Sequence, residues 1–140
     1  MISTRGRYAI RFMIDLAEQP AGIPVPLEDT AARQDVSKKY LEAIVKLLVK
    51  GRLVRGTSGK GGGYLLLKDP ATCTIGEILE LTEGTLATVA CLSGEAEPCP
   101  REACCKTLPM WRRFDGMVRS FFYGITVQDL VDGILPEELS

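Results

Sequence analysis

"SKKYLEAIVKLLVKGRLVRGTSGKGGGYLLL", residues 37–67, decides the fold. In its first half Leu41, Ile44, Val45 and Leu48 recur at helical spacing and form one apolar stripe. Lys38, Lys39, Glu42 and Lys46 fall on the opposite face. Ser37 offers an N-cap oxygen and Gly51 a stop, so the spacing predicts a helix to Lys50. "RLVR", "GTSGKGGG" and "YLLL" then read as two short strands around a glycine-rich turn, a β-hairpin.

Working outward, Tyr8, Phe12, Met13 and Leu16 predict a helix from Thr4 to about Glu18, capped by Ser3 or Thr4. "QPAGIPVP" breaks it. A short helix follows over Leu27 to Gln34, and "QDV" makes a tight turn into the helix of the opening stretch. Helix, helix, turn, helix, hairpin is the order of a winged helix-turn-helix. After the hairpin come a short helix at about Ile75 to Leu81, a polar loop, a long apolar helix from Leu108 to Phe122, and a last short helix capped by Thr126. The expected fold class is mainly α with a small β-hairpin: a winged helix-turn-helix plus a long C-terminal dimerisation helix. Within one compact domain, residues 1–69 form the winged helix-turn-helix, 70–90 a connecting short helix, 91–107 a cysteine-rich loop, and 108–140 the long helix and its short successor.

In such a fold the second helix of the pair enters the major groove with its N-terminal residues at the base edges. That places Ser37, Lys38, Lys39 and Glu42 there. A lysine donates to guanine or phosphate, and Glu42 accepts from a cytosine amino group. Lys46 and Lys50 reach the flanking phosphates, and the wing brings Arg55, Ser58 and Lys60. The same residues also suit a solvated lysine-rich helix beside an ordinary glycine turn. "GTSGKGGG" is not a P-loop, because Lys60 precedes glycines and a strand instead of Ser or Thr opening a helix.

The charge is uneven. Residues 1–69 hold twelve Lys/Arg and seven Asp/Glu, for +5; residues 70–140 hold five and eleven, for −6. The first half suits a polyanion. The chain has no histidine, which removes Ser/His and Cys/His catalytic pairs; no cofactor motif replaces them, and an enzyme is not expected. No apolar run reaches the length of a membrane span, and Arg11 and Asp15 interrupt the N-terminal apolar stretch. A cytoplasmic protein with reduced thiols is expected. On the long helix Trp111, Phe114, Val118, Phe121 and Phe122 form an apolar side. It either folds back on its own domain or packs against a second copy, giving a homodimer that reads a palindromic double-stranded operator.

Four of the five cysteines, Cys91, Cys99, Cys104 and Cys105, fall within "CLSGEAEPCPREACC", residues 91–105. Cys73 stands apart and fits a buried structural thiol. The four lie in a polar loop with Glu95, Glu97 and Glu102, so core packing does not explain them. Their spacing, C-x7-C-x4-C-C, lacks the short knuckles of structural zinc sites and suits a wider iron–sulfur cluster. Zinc and a thiol redox switch remain as rival readings, and so does a loop with no function.

The whole chain resembles the IscR-type regulators, the iron–sulfur cluster-sensing branch of the Rrf-two superfamily of bacterial transcription factors. The likeness runs from "STRGRYAIRFMIDLA" (3–17) through "VPLEDTAARQDVSKKYLEAIVKLLVKGRLVRG" (25–56), "GKGGGYLL" (59–66) and "TIGEILELTEG" (74–84) to "MWRRFDGMVRSFFYGITVQDLV" (110–131). It implies a dimer of winged helices, with the long helix crossing to the partner. It also implies a two-iron or four-iron cluster on three cysteines, here Cys91, Cys99 and Cys105, whose occupancy alters promoter choice, often at cluster-assembly genes. The family's recognition-helix glutamate falls on Glu42. There are two departures. The family's usual histidine ligand falls on Leu108, which leaves Cys104, a carboxylate such as Glu102 or Glu97, a partner group or a small thiol as fourth ligand. The family's wing arginine falls on Ser58, whose role passes to Lys60 or Arg55. A thiol-redox or zinc-dependent repressor on the same fold is the alternative function.

Overall fold

The computed structural model describes residues 2–94, 97 and 99–137; Glu95 of the cysteine loop lies outside them. Among the described residues six α-helices and one hairpin follow in order: α1 (Thr4–Ala17), α2 (Leu27–Gln34), α3 (Lys38–Lys50), β1 (Val54–Thr57), β2 (Gly63–Leu66), α4 (Ile75–Glu83), α5 (Leu108–Tyr123) and α6 (Val127–Asp132). The fold is mainly helical with one antiparallel two-stranded sheet, Val54 facing Leu66 and Thr57 facing Gly63. Single turns of 3-10 helix at Ala90–Leu92 and Glu102–Cys104 interrupt the cysteine segment, which the composition presents as plain loop.

The core forms where the helical stripes meet. Phe12 and Met13 of α1, Leu41, Ile44 and Leu48 of α3, Val54 of β1, Ile78 and Leu79 of α4 and Val127 of α6 are all buried. Each contributes about 1.5–3 kcal/mol relative to an exposed position. α1 is the central element, in contact with α2, α3, α4 and α6. Among the described residues no helix is long and apolar enough to cross a membrane.

The α1–α2–α3 unit is held at its interior by Asp15. Its buried carboxylate accepts two hydrogen bonds of 2.8 Å from Arg33 and one of 2.8 Å from the Thr30 hydroxyl. Burial pushes this carboxyl upward, but the bonds from Arg33, Thr30 and Gln34 and the Arg33 charge outweigh it and hold it below the ordinary carboxylate range. Asp15 therefore orients α2 against α1, which the sequence pattern shows only as a polar break. The turn between α2 and α3 is made by Asp35 in the left-handed region, φ 53°, a conformation Asp tolerates better than most residues. Ser37 then caps α3, its hydroxyl accepting from the Tyr40 amide at 3.1 Å. α3 ends at Lys50, but Arg52, at φ 61°, takes the left-handed turn. Gly51 is needed for space instead: a Cβ there would lie 2.3 Å from the Leu81 side chain.

A one-residue strand at Val25 joins the wing to the body. Val25 donates to the Tyr64 carbonyl at 2.9 Å and accepts from the Tyr64 amide at 2.8 Å. Pro24 and Pro26 lack N–H groups, so this strand cannot lengthen and leaves no periodic pattern in the sequence. At the other end of the domain, α4 and α6 start side by side. Thr74 with Glu77, and Thr126 with Asp129, form two capping boxes, bridged where Thr74 pairs with Thr126. α4 continues past Leu81 to Glu83, where Gly84 closes it at φ 82°. Cys73 is buried beside this junction, where desolvation pushes its thiol up to about 11 and keeps it protonated.

Candidate functional site

Two sites emerge, one on α3 and the wing, the other on the loop before α5. α3 buries Leu41, Ile44, Val45 and Leu48 and turns Lys38, Lys39, Glu42, Lys46 and Lys50 to solvent. Arg55, Ser58 and Lys60 of the wing are exposed as well. A groove of about 470 Å³ runs between the two, lined by Val45, Lys46, Val49, Lys50, Gly56 and Tyr64. The structure separates the two lysines at the start of α3. Lys38 is ion-paired with Glu28 of α2, which raises its pKa and lowers that of Glu28. Lys39 has no ion-pair partner among the described residues, so its charge is free for a polyanion.

The sequence pattern does not single out Tyr40. Its ring meets Tyr8 edge-on, centroids 5.6 Å apart, and Arg11 stacks on the other partner, 5.0 Å from the Tyr8 centroid. Arg11 also donates to the Gln34 side-chain oxygen at 3.1 Å. This chain of contacts fixes the start of α3 against α1. The hairpin turn is tied internally: the Gly63 amide donates to the Thr57 hydroxyl at 3.2 Å, and the Gly62 amide to the Gly59 carbonyl at 3.0 Å.

The second site is a cavity of about 220 Å³ lined by Cys91, Leu92, Glu97, Cys99, Glu102, Cys105, Leu108 and Arg112. Cys91, Cys99 and Cys105 thus share one concavity. Cys104 does not line it and is exposed elsewhere. Among the described residues no three thiols or carboxylates converge tightly enough to grip a single ion. The donor set nonetheless fits an iron–sulfur cluster: its ligands are thiolates and, in some clusters, other side chains, and its width is several atoms rather than one. Cys105 lies 3.4 Å from the Thr107 hydroxyl. That contact, the Thr107 and Leu108 amides and the Arg101 charge hold its thiol below the ordinary value, favouring the thiolate a ligand must be.

The loop and the segment leading into it are strapped to α5. The Thr88 amide donates to the Asp115 carboxylate at 2.8 Å, its hydroxyl at 3.2 Å, and Arg112 reaches Glu102 at 3.2 Å. α5 in turn leans on α4, through Arg119 to Glu80 at 2.9 Å and through the Tyr123 ring lying over Gly76. Its apolar side differs from the expected one. Phe122 turns inward onto the core, and Trp111 and Val118 are half-buried. The solvent-facing stripe is Met110, Phe114, Met117 and Phe121, with Met117 64% exposed. The two methionines belong to it because their positions, four and three residues from Phe114, share its helical face.

The chain is similar to known transcriptional regulators. The sequence model of the Rrf2 family, described as an iron-dependent transcriptional regulator, matches residues 2–133. The HTH-type transcriptional regulator IscR of Yersinia pestis is 34% identical over 131 residues, 94% of this chain and 79% of that protein. CymR (YrzC), the global cysteine regulator of B. subtilis, superposes with a TM-score of 0.77 at 32% identity, covering 96% of this chain and 98% of CymR. T. potens IscR superposes at 0.74 with 28% identity, covering 95% of this chain and 87% of that structure.

Proposed function

The chain belongs to the Rrf2 family of transcriptional regulators, and from that premise we propose a homodimeric, cluster-responsive DNA-binding protein. As a family member it is a regulator and not an enzyme. The proposed DNA surface is Ser37, Lys38, Lys39, Glu42, Lys46 and Lys50 of α3 with Arg55, Ser58 and Lys60 of the wing. The proposed ligands are Cys91, Cys99 and Cys105. The observation that carries this reading is their shared cavity, which leaves Cys104 outside. A bound cluster supplies a one-electron redox centre tuned by its ligands.

The chain's own residues supply the route from loop to DNA. Thr88 and Asp115 tie the segment leading into the loop to α5, Glu102 and Arg112 tie the loop to it before any cluster binds, and α5 carries the exposed stripe proposed to meet a second copy. Ordering the loop shifts α5, and with it the spacing of the two α3 helices on a palindromic operator. Residues 1–69, 70–90, 91–107 and 108–140 then serve as reader, connector, sensor and coupler.

Glu42 is the proposed selectivity residue. It is exposed near the start of α3 without an ion-pair partner among the described residues, so it faces a base edge or repels a phosphate. In iron-free protein Glu42→Ala is expected to broaden binding across a panel of operators, relaxing discrimination by about 1–3 kcal/mol at one base pair. Identical operator preferences for the two proteins contradict this role.

A thiol-redox reading has one observation in its favour, the Cys105 thiol held toward its thiolate beside Thr107. On that reading the same fold responds to oxidation of Cys105 by a peroxide or disulfide, to which a partly exposed, thiolate-prone cysteine is the most susceptible. A zinc-dependent form of this alternative uses the same loop thiols. Metal content separates these readings from the cluster reading.

A further inference from the structure

We infer that Glu102 is the fourth ligand of the thiol cavity, and that Arg112 is the counter-ion it leaves when it binds; this rests on the cluster reading above. Three observations converge on Glu102. It lines the cavity together with Cys91, Cys99 and Cys105, whereas Cys104 does not. It follows Cys99 by three residues, and its amide donates to the Cys99 carbonyl at 3.0 Å, closing a turn over "CPRE". That is the compact geometry of a two-ligand metal knuckle, with a carboxylate where the second thiolate would stand. Finally, Arg112 holds its carboxylate at 3.2 Å on the cavity wall.

The competing donors are worse placed. Cys104 adjoins Cys105 in the chain but does not line the cavity. Neither it nor Cys91 lines the neighbouring concavity shared by Cys99, Pro100, Glu102, Ala103 and Arg112. Glu97 lines the thiol cavity, but no hydrogen bond or ion pair to a described residue fixes it. The chain has no histidine, so an oxygen donor is the remaining non-thiol choice. The Glu102–Arg112 pair is solvent-exposed, and such a pair is weak enough to be exchanged for a metal bond. Its exchange frees a cation in the early part of α5, on the helix that carries the exposed apolar stripe. Ligand capture is thereby linked to the charge at that surface.

The test is anaerobic cluster reconstitution of the wild type, Glu102→Gln, Glu102→Cys, Glu97→Gln, Cys104→Ser and Arg112→Gln, reading iron and sulfide per chain, visible circular dichroism and iron release in air. Far-ultraviolet circular dichroism checks that each is folded. Glu102→Gln is expected to change the visible spectrum and to release iron at least about tenfold faster. Glu102→Cys is expected to restore retention with a thiolate-type spectrum, Glu97→Gln and Cys104→Ser to resemble the wild type, and Arg112→Gln, which removes the competing ion pair, to keep the wild-type spectrum and hold iron at least as long. A wild-type spectrum and release rate in Glu102→Gln overturns the inference while leaving the cluster reading intact. So does a change in Cys104→Ser or Arg112→Gln equal to that in Glu102→Gln. Failure of the wild type itself to take up iron and sulfide overturns both.

Discussion

Gly63→Ala is expected to destabilise the domain by about 2–4 kcal/mol and to weaken DNA binding in parallel. A Cβ at Gly63 would lie 2.3 Å from the Val25 carbonyl carbon and 2.7 Å from the Pro26 nitrogen. These are backbone atoms, so no side chain can swing aside. The only relief is to separate Val25 from Tyr64 and lose the 2.9 and 2.8 Å hydrogen bonds that join wing to body. The wing then loses its fixed position beside α3. Gly59→Ala is the control from the same hairpin: its φ is 89°, but nothing lies within 4 Å of an added Cβ. Only conformational strain applies there, about 1 kcal/mol. Chemical denaturation of both variants measures the difference. Equal, small losses would mean that the Val25 contact does not position the wing.

Met117→Asp is expected to yield a folded monomer, and to lower affinity for a two-half-site operator by about 10²- to 10⁴-fold. Met110, Phe114, Met117 and Phe121 recur at alternating spacings of four and three, the pattern of a helix that packs along another helix. Met117 lies mid-stripe and is the most exposed of the four, so the substitution leaves the chain's own core untouched. A charge there would be buried without a partner in a dimer and harmless in a monomer. Sedimentation and operator titration test both parts. A Met117→Asp protein that remains dimeric, with wild-type operator affinity, places the dimer contact elsewhere.

How much of this was readable from residues alone depends on the kind of interaction. The α3 stripe and the Ser37 cap are local, periodic features, and the sequence pattern locates both. The Thr126 cap is equally local. Val25 pairs with Tyr64 across thirty-nine positions, and two prolines shorten its strand to one residue, so no pattern announces it. Asp15 looks like a break in an apolar run because its partners, Thr30 and Arg33, sit on another helix. The long helix is legible, but which of its apolar residues face outward is not. Phe122 and Phe121 are neighbours in sequence, yet Phe122 packs against the core while Phe121 faces solvent. At the thiol loop, spacing gathers Cys91, Cys99, Cys104 and Cys105, and the resemblance picks out Cys91, Cys99 and Cys105. Only the folded chain adds Arg112 from the following helix and sets Cys104 apart.

The reading proposed for the thiol loop is that it holds an iron–sulfur cluster. The most direct measurement is the iron, sulfide and zinc content of protein purified without oxygen, with its visible absorption spectrum, for the wild type and Cys91→Ala. Near-equal iron and sulfide are expected in the wild type, with a charge-transfer band that disappears in Cys91→Ala. A colourless wild-type protein carrying zinc, or no metal after reconstitution, contradicts it and leaves a DNA-binding regulator whose loop works as a thiol switch or a structural element.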